Sequence, residues 1–360
     1  MAERPVVALT GLHAVSALGR GADAQLAGVL AGAPTFRPVD RFDTTSRRVD
    51  AAAARPDAGE LADELAEAVD AACRDARLDA GRRAGTALLL AVHGDAAVPA
   101  LTAGLAARTG LTGPTRAYTT ACVSASSAVA DAAALIRRGD VTRVVVAAGY
   151  LVEPDQYALF DAGRALATDG AVRPFSAGRT GLLLGDGIAA VVLESSAVAR
   201  RAVADLLGWG RAGDAFHPCQ PEPGGRGLAR AVTAALRRAG LAAEAVGYVN
   251  ANATGAGHGD AAEAAALRTA FGAAAARVPV SSTKALHGHA LEASGLLELV
   301  VTVLAARHGK LPVNAGWLGP DPACPLDVVR DAPRPAATGF ALSLNAAFGG
   351  ANTALLVGAA

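Results

Sequence analysis

The sequence predicts an α/β fold built on a mixed or parallel sheet, and three observations carry that expectation. Strand-like and helix-like segments alternate along the whole chain. Several strand candidates are continuous apolar runs, as expected where both faces of a strand are covered. The order of elements in the first half recurs in the second, although no literal sequence repeat is visible. The chain has 360 residues, of which 52% are apolar, enough for two domains or one large duplicated one.

The elements follow in order. Val6 to Thr10 reads as a first strand, and Leu61 to Leu78 has helical spacing that ends near Gly81. Ala87 to Val92 is a buried-strand run. A strand-like run from Thr115 to Ala121 gives way to a helix-like run from Ser124 to Arg138, followed by strands at Arg143 to Gly149 and Gly185 to Glu194. In the second half Gly227 to Ala239 reads as helix, Val246 to Asn250 as strand, and Asp260 to Phe271 as helix after a glycine-rich loop. Val278 to Thr283 is a strand and Leu291 to Arg307 a long apolar helix. Strands at Thr338 to Leu344 and Thr353 to Val357 flank a hairpin turn at Phe348-Gly349-Gly350. The predicted division falls near residues 195–205, giving halves 1–200 and 201–360. Arg37 to Asp57, rich in Arg, Asp and Pro, is the expected exposed irregular segment.

Composition narrows the function classes. Formal net charge is zero, so nothing points to nucleic acid or an anionic membrane. Cys73, Cys122, Cys219 and Cys324 are far apart with no C-x-x-C pair, so neither a zinc site nor a redox motif is indicated. No signal-peptide core follows Met1, and no apolar run reaches the length of a membrane span. A cytoplasmic protein with a free Cys122 is the expectation. The only lysines are Lys284 and Lys310, which makes Lys284 conspicuous.

Cys122 is the leading candidate for chemistry. It lies at a strand-to-helix junction among small residues, Thr119-Thr120-Ala121-Cys122-Val123-Ser124. Unpaired N–H groups and the positive end of a helix dipole favour the thiolate there, so the expectation is an activated nucleophile carrying a thioester. A free cysteine is also often simply buried, but the junction and the small neighbours favour the nucleophile. His289 sits close in sequence to Lys284, before a small-residue helix start, and a neutral imidazole there can donate to a carbonyl or act as a base. Lys284 follows a buried strand, a placement that favours an electrostatic role with Glu298 over a solvated one. His287 and His258 lack the companions of a metal set, so no metal is expected; His13, His93, His217 and His308 read as surface or loop residues.

Five segments, in order, resemble the β-ketoacyl-acyl-carrier-protein synthases, the ketosynthases of the thiolase fold. They are Thr120-Ala121-Cys122; Arg173-Pro174-Phe175 through Gly181, Gly185-Asp186-Gly187 and Glu194; and Tyr248-Val249-Asn250-Ala251 with Thr254, Asp260 and Glu263. The fourth is Ser282-Thr283-Lys284 with Gly288-His289, Gly295 and Glu298, and the fifth is Asn345 with Phe348-Gly349-Gly350 and Asn352. Each motif is weak alone; together they cover nearly the whole chain. The resemblance implies a thiolase-like, duplicated five-layer αβαβα fold, usually a dimer. It implies an acyl-Cys122 intermediate, an oxyanion site from the N–H groups of Cys122 and Phe348, and gating by Phe348. No cofactor is implied; the substrates would be acyl and malonyl thioesters on the phosphopantetheine of an acyl carrier protein or coenzyme A.

Two departures stand out. The family's first histidine falls on Asn252, followed by Ala253 in place of glycine. Asn252 can donate a hydrogen bond as a neutral histidine does but cannot carry a proton. The stretch between the Ala87 strand and the Cys122 strand is also shorter than in elongating members. Three functions remain open: decarboxylative condensation, acyl transfer to an alcohol or amine, and a chain-length-factor-like subunit paired with a second ketosynthase-like chain.

Overall fold

The computed structural model describes residues 6–336 and 339–359; the segment after Met1 and the predicted strand start at Thr338 fall outside them. The first half comprises β1 (Val7–Ser16), α1 (Ala22–Ala31), α2 (Leu61–Asp75), β2 (Ala87–Ala91), α3 (Val98–Thr109), β3 (Thr115–Tyr118), α4 (Ser124–Arg138), β4 (Arg143–Tyr150), α5 (Pro154–Ala162) and β5 (Gly187–Ser195). The second half comprises β6 (Ala204–Gly213), α6 (Arg226–Ala239), β7 (Tyr248–Asn250), α7 (Gly257–Phe271), β8 (Pro279–Ser281), α8 (Ser294–His308), β9 (Asp327–Val328), β10 (Phe340–Ala347) and β11 (Ala351–Ala359).

Strand order runs β9-β8-β7-β10-β11-β6-β1-β5-β4-β2-β3. It reads as two sheets of the same plan, β1-β5-β4-β2-β3 and β6-β11-β10-β7-β8, joined by a short antiparallel pairing in which Val7, Ala8 and Leu9 meet Leu206, Asp205 and Ala204. Helices α4 and α8 lie between the sheets and pack against strands of both, while α2 covers the outer face of one and α6 of the other. The result is the five-layer αβαβα arrangement. Both faces of the central strands, β2, β4 and β5 among them, are therefore dry. Along β2, Ala87, Leu89 and Ala91 face the central helices, while Leu88 and Leu90 face the outer layer. That is why the strands read as unbroken apolar runs.

Several boundaries differ from the sequence reading, for local reasons. The run toward Ala121 stops pairing at Tyr118, and residues 121–123 turn as a 3-10 segment before α4. The apolar run from Leu291 likewise opens with a 3-10 turn at 291–293, and α8 starts at Ser294. Helix α7 begins at Gly257, three residues before Asp260. Helices α1, α3 and α5 and strand β6 were not legible; α3 and α5 carry almost no amphipathic signal. The Arg37 to Asp57 segment is not free in solvent. Arg41 forms an ion pair with buried Asp186 at 2.7 Å, and buried Arg55 pairs with Glu64 at 3.1 Å. Among the described residues no helix is long and apolar enough to cross a membrane.

Helices α4 and α8 touch because Gly295 has no side chain. A Cβ there would lie 2.9 Å from the Ser126 N and 3.0 Å from Asn345 Oδ1. Gly295→Val should lower unfolding stability by at least about 1–3 kcal/mol, the usual range for overpacking. Urea denaturation checks this, and an unchanged midpoint would contradict the close approach.

Candidate active site

The site forms where the strand ends of both halves meet the start of α4. Cys122 occupies the apex of the 3-10 turn after β3, with Ala121 before it in the left-handed region at φ 50°. Ser124 locks this turn: its Oγ accepts from the Thr120 N–H at 2.8 Å and donates to the Ala121 carbonyl at 2.7 Å. The residue before the apex pays for this shape in backbone strain, and the thiol is aimed inward with only 8% of the residue exposed.

His289 meets it from the other half. Its Nε2 lies 3.1 Å from Cys122 Sγ, and its Nδ1 lies 2.9 Å from Ser294 Oγ. The backbone is pinned as well, with the His289 N–H donating to Leu183 O and its carbonyl accepting from the Gly185 N–H. If Ser294 gives its proton to Nδ1, the ring proton sits on Nε2 and faces Sγ; the opposite tautomer lets Nε2 accept the thiol proton. Burial, then the positive charge of Lys284 and the neighbouring His287, pushes His289 well below the ordinary histidine range.

The thiol itself departs from the sequence expectation. Burial, then the Glu292 carboxylate, pushes Cys122 up to about 12, with Lys284 opposing. The resting pair is a neutral thiol on a neutral imidazole and not a preformed thiolate. The helix N-terminus is present, but desolvation outweighs it.

Lys284 and Glu298 are fully buried and form an ion pair at 2.6 Å. Asn345 Nδ2 donates to the other Glu298 oxygen at 2.7 Å. Asn252 lies just past β7, level with Thr283 and Asn345 by strand register. Its N–H donates to Glu263 at 2.8 Å, while its side-chain Oδ1 is buried without a partner. The loop is held by Asp260, which accepts from the N–H groups of Thr254, Gly255 and Phe175 at 2.8–3.2 Å. Burial raises Asp260 to about 6 and Glu263 to about 8.

Phe348 stands at the β10–β11 turn, half exposed, stacked on Phe160 with ring centroids 5.7 Å apart. Gly349 and Gly350 follow at φ 81° and 73°; a side chain on Gly350 would also strike Asp214. The Gly349 N–H donates to Pro218 O, so the turn leans on the 214–224 loop.

His287 is buried, pushed to about 3 by burial and Lys284, and bonded to Thr283 Oγ1, an ordinary core histidine. Among the described residues no group of three His, Cys, Asp or Glu is arranged for a metal. Sequence reasoning missed two residues. Glu292 was hidden in an apolar helix run, and His93, read as a loop residue, lies with Nδ1 at 3.1 Å from Glu292 Oε1.

Fold and site define a duplicated α/β protein with a buried thiol–imidazole pair at its pseudo-twofold centre. The chain belongs to the β-ketoacyl synthase family: the N-terminal domain model matches residues 74–199 and the C-terminal one residues 203–317. It is 36% identical over 258 residues to 3-oxoacyl-[acyl-carrier-protein] synthase 2 of Staphylococcus aureus, covering 69% of this chain and 64% of that one. It is 38% identical over 258 residues to the tetracenomycin polyketide synthase ketoacyl synthase alpha subunit of Streptomyces glaucescens, covering 69% and 61%. The matches therefore span less than two thirds of these relatives' length. The structure of the ishigamide ketosynthase/chain length factor superposes with a TM-score of 0.93 at 29% identity, over 99% of this chain and 100% of that one.

Two predictions follow from the electrostatics. Alkylation of Cys122 by iodoacetamide should keep rising about tenfold per pH unit through pH ~9, because the thiolate fraction is still growing; a plateau below pH ~8 would show a depressed pKa. Glu263 ionises near 4.5 when unfolded and near 8 when folded. The folded state thus holds the extra proton between those values, and stability should fall as pH rises across that window. Glu263→Gln should flatten that part of the stability–pH curve, and denaturation midpoints read it directly.

Proposed function

We propose that the chain is a ketosynthase-like acyltransferase that forms an acyl-Cys122 intermediate and condenses it with a malonyl thioester, in polyketide or fatty-acid-type specialised metabolism. The observation that supports this most is the 3.1 Å contact between a buried thiol and a neutral imidazole.

Loading is a thioester exchange. Sγ attacks the donor carbonyl as its proton passes to His289 Nε2; the carbonyl–pantetheine bond breaks, and the proton returns to the departing thiolate. The N–H groups of Cys122 and Phe348 would take the oxyanion. In the second step the malonyl carboxylate leaves as CO2, and the enolate carbon attacks the acyl carbonyl as the carbonyl–Sγ bond breaks; the Cys122 thiolate released then takes a proton from water. His289 Nε2–H and the Asn252 amide would hold the malonyl carbonyl, two neutral donors for one developing charge. Lys284 keeps the imidazole neutral and so able to donate, while Glu298 keeps Lys284 in place. Removing Glu298 would leave a buried ammonium unpaired, a cost of about 3–5 kcal/mol.

An acyl carrier protein is the proposed donor, and a second ketosynthase-like chain, identical or not, the proposed partner. Support for pairing is the edge strand β3, where Thr115, Arg116 and Ala117 are exposed and one side of the ladder is open. Asn252 favours a second reading, transfer of the acyl group to an alcohol or amine, which needs His289 as base and no decarboxylation. Retention of Cys122 in contact with His289 weighs against a chain-length-factor-like role.

Intact-protein mass spectrometry with a panel of acyl thioesters tests the proposal. The expected result is a mass gain of one acyl group, absent from Cys122→Ala; no gain with any donor would defeat it. Asn252→His should raise malonyl decarboxylation by about tenfold or more, in line with adding a general acid–base group. No increase would show that position 252 does not limit this step.

A further inference from the structure

The duplication gives the nucleophile a counterpart. Residues 121–123 and 291–293 form matching 3-10 turns, with Ala121 at φ 50° and Leu291 at φ 39°. Ser124 Oγ accepts from the N–H four residues back at 2.8 Å, and Ser294 Oγ does the same at 3.0 Å. Cys122 and Glu292 therefore hold equivalent places on equivalent turns, and the two turns pack on each other. Strand register extends the match. Ala91 pairs with Ala148 as Asn250 pairs with Ser343, so His93 corresponds to Asn252 and Tyr150 to Asn345.

This second centre has a different chemistry. Glu292 is 5% exposed; Oε1 meets His93 Nδ1 at 3.1 Å, and Oε2 is buried with no partner. Tyr150 is 4% exposed, and its hydroxyl is also buried with no partner. Continued two residues past the last pair of β2 with β4, Ala91 with Ala148, the register brings His93 level with Tyr150, and the 291–293 turn packs against β4. Tyr150 joins the same apolar cluster as Cys122. The Glu292 charge acts on both the thiol and the phenol, raising each.

Two orphaned polar atoms, on a turn and a strand that pack together, are a statement about what covers them. A hydrocarbon chain would seal both from water and leave both unpaired. A hydroxyl answers both, donating to the carboxylate and accepting from the phenol. Resting on the acyl-enzyme reading above, we propose that the acyl group carried by Cys122 bears a hydroxyl, held between Glu292 Oε2 and the Tyr150 phenol. His93, half exposed at the rim, fixes the carboxylate. The second centre selects the substrate.

The test loads the protein with pantetheine thioesters of equal chain length, unsubstituted or with a hydroxyl at each carbon from the second to the fifth, plus the matching amines. Acyl-Cys122 is followed by intact mass. At one position the hydroxylated chain should load at least about tenfold faster than the plain one. Glu292→Gln and Tyr150→Phe should each bring that ratio to about one; Tyr150→Phe removes one oxygen without changing the packing, so it guards against a folding artefact, and unfolding curves check both. Equal rates in the wild type, a preference that survives both substitutions, or faster loading of the amines would overturn the inference. Loading without preference removes this inference alone, whereas no loading from any donor removes the acyl-enzyme with it.

Discussion

The contact between the two 3-10 turns at the centre of the molecule governs the rest. Each turn starts a helix that lies between the sheets, and each must place its apex side chain where the other half's strands end. Gly295 permits the close approach, and Ser124 and Ser294 fix the two turns from within. The apex positions are dry as a result, and dryness sets the protonation states. A thiolate facing an imidazolium would put two charges into a space that already holds the Lys284–Glu298 pair. The Glu292 charge opposes the thiolate, and the Lys284 charge opposes the imidazolium. The local field therefore favours the neutral pair.

Much of this was legible in the sequence because its signals are local. The small residues around Cys122 mark a turn, and the apolar runs mark strands covered on both faces. Asp260 sits within six residues of the Thr254 and Gly255 N–H groups it accepts from. Glu292 and His93 were not legible, for a physical reason. They meet across 199 residues, and only the duplicated backbone brings them together. Within its own segment Glu292 is one carboxylate in a run of Leu, Ala and Val, and His93 is one histidine after a strand. The direction of the Cys122 shift was also out of reach. A helix N-terminus can be read from a sequence, whereas the depth of burial that outweighs it depends on the second half closing over the first.

The buried carboxylates show how the fold is tied to the site. Asp186 accepts from the Arg55 and Val152 N–H groups and pairs with Arg41, which ties the irregular 37–57 segment to the start of β5. Asp260 and Glu263 do the same for the 252–255 loop and Phe175. Backbone donors, unlike side-chain cations, cannot move away or lose a proton, so a loop held this way keeps its shape when substrate charge changes beside it.

Asn252, unlike a histidine, cannot carry a proton. On the proposed mechanism His289 is the imidazole in contact with the thiol, so one Nε2 would serve both loading and any later step. It would do so in sequence, accepting from the thiol, returning the proton to the leaving group, and then presenting Nε2–H to the next carbonyl. The Ser294 contact at Nδ1 makes that alternation feasible, because a hydroxyl can donate or accept as the ring changes tautomer. A backbone carbonyl or N–H at the same point would have locked the ring in one role. The serine that builds the turn thus leaves the ring free to adopt either tautomer.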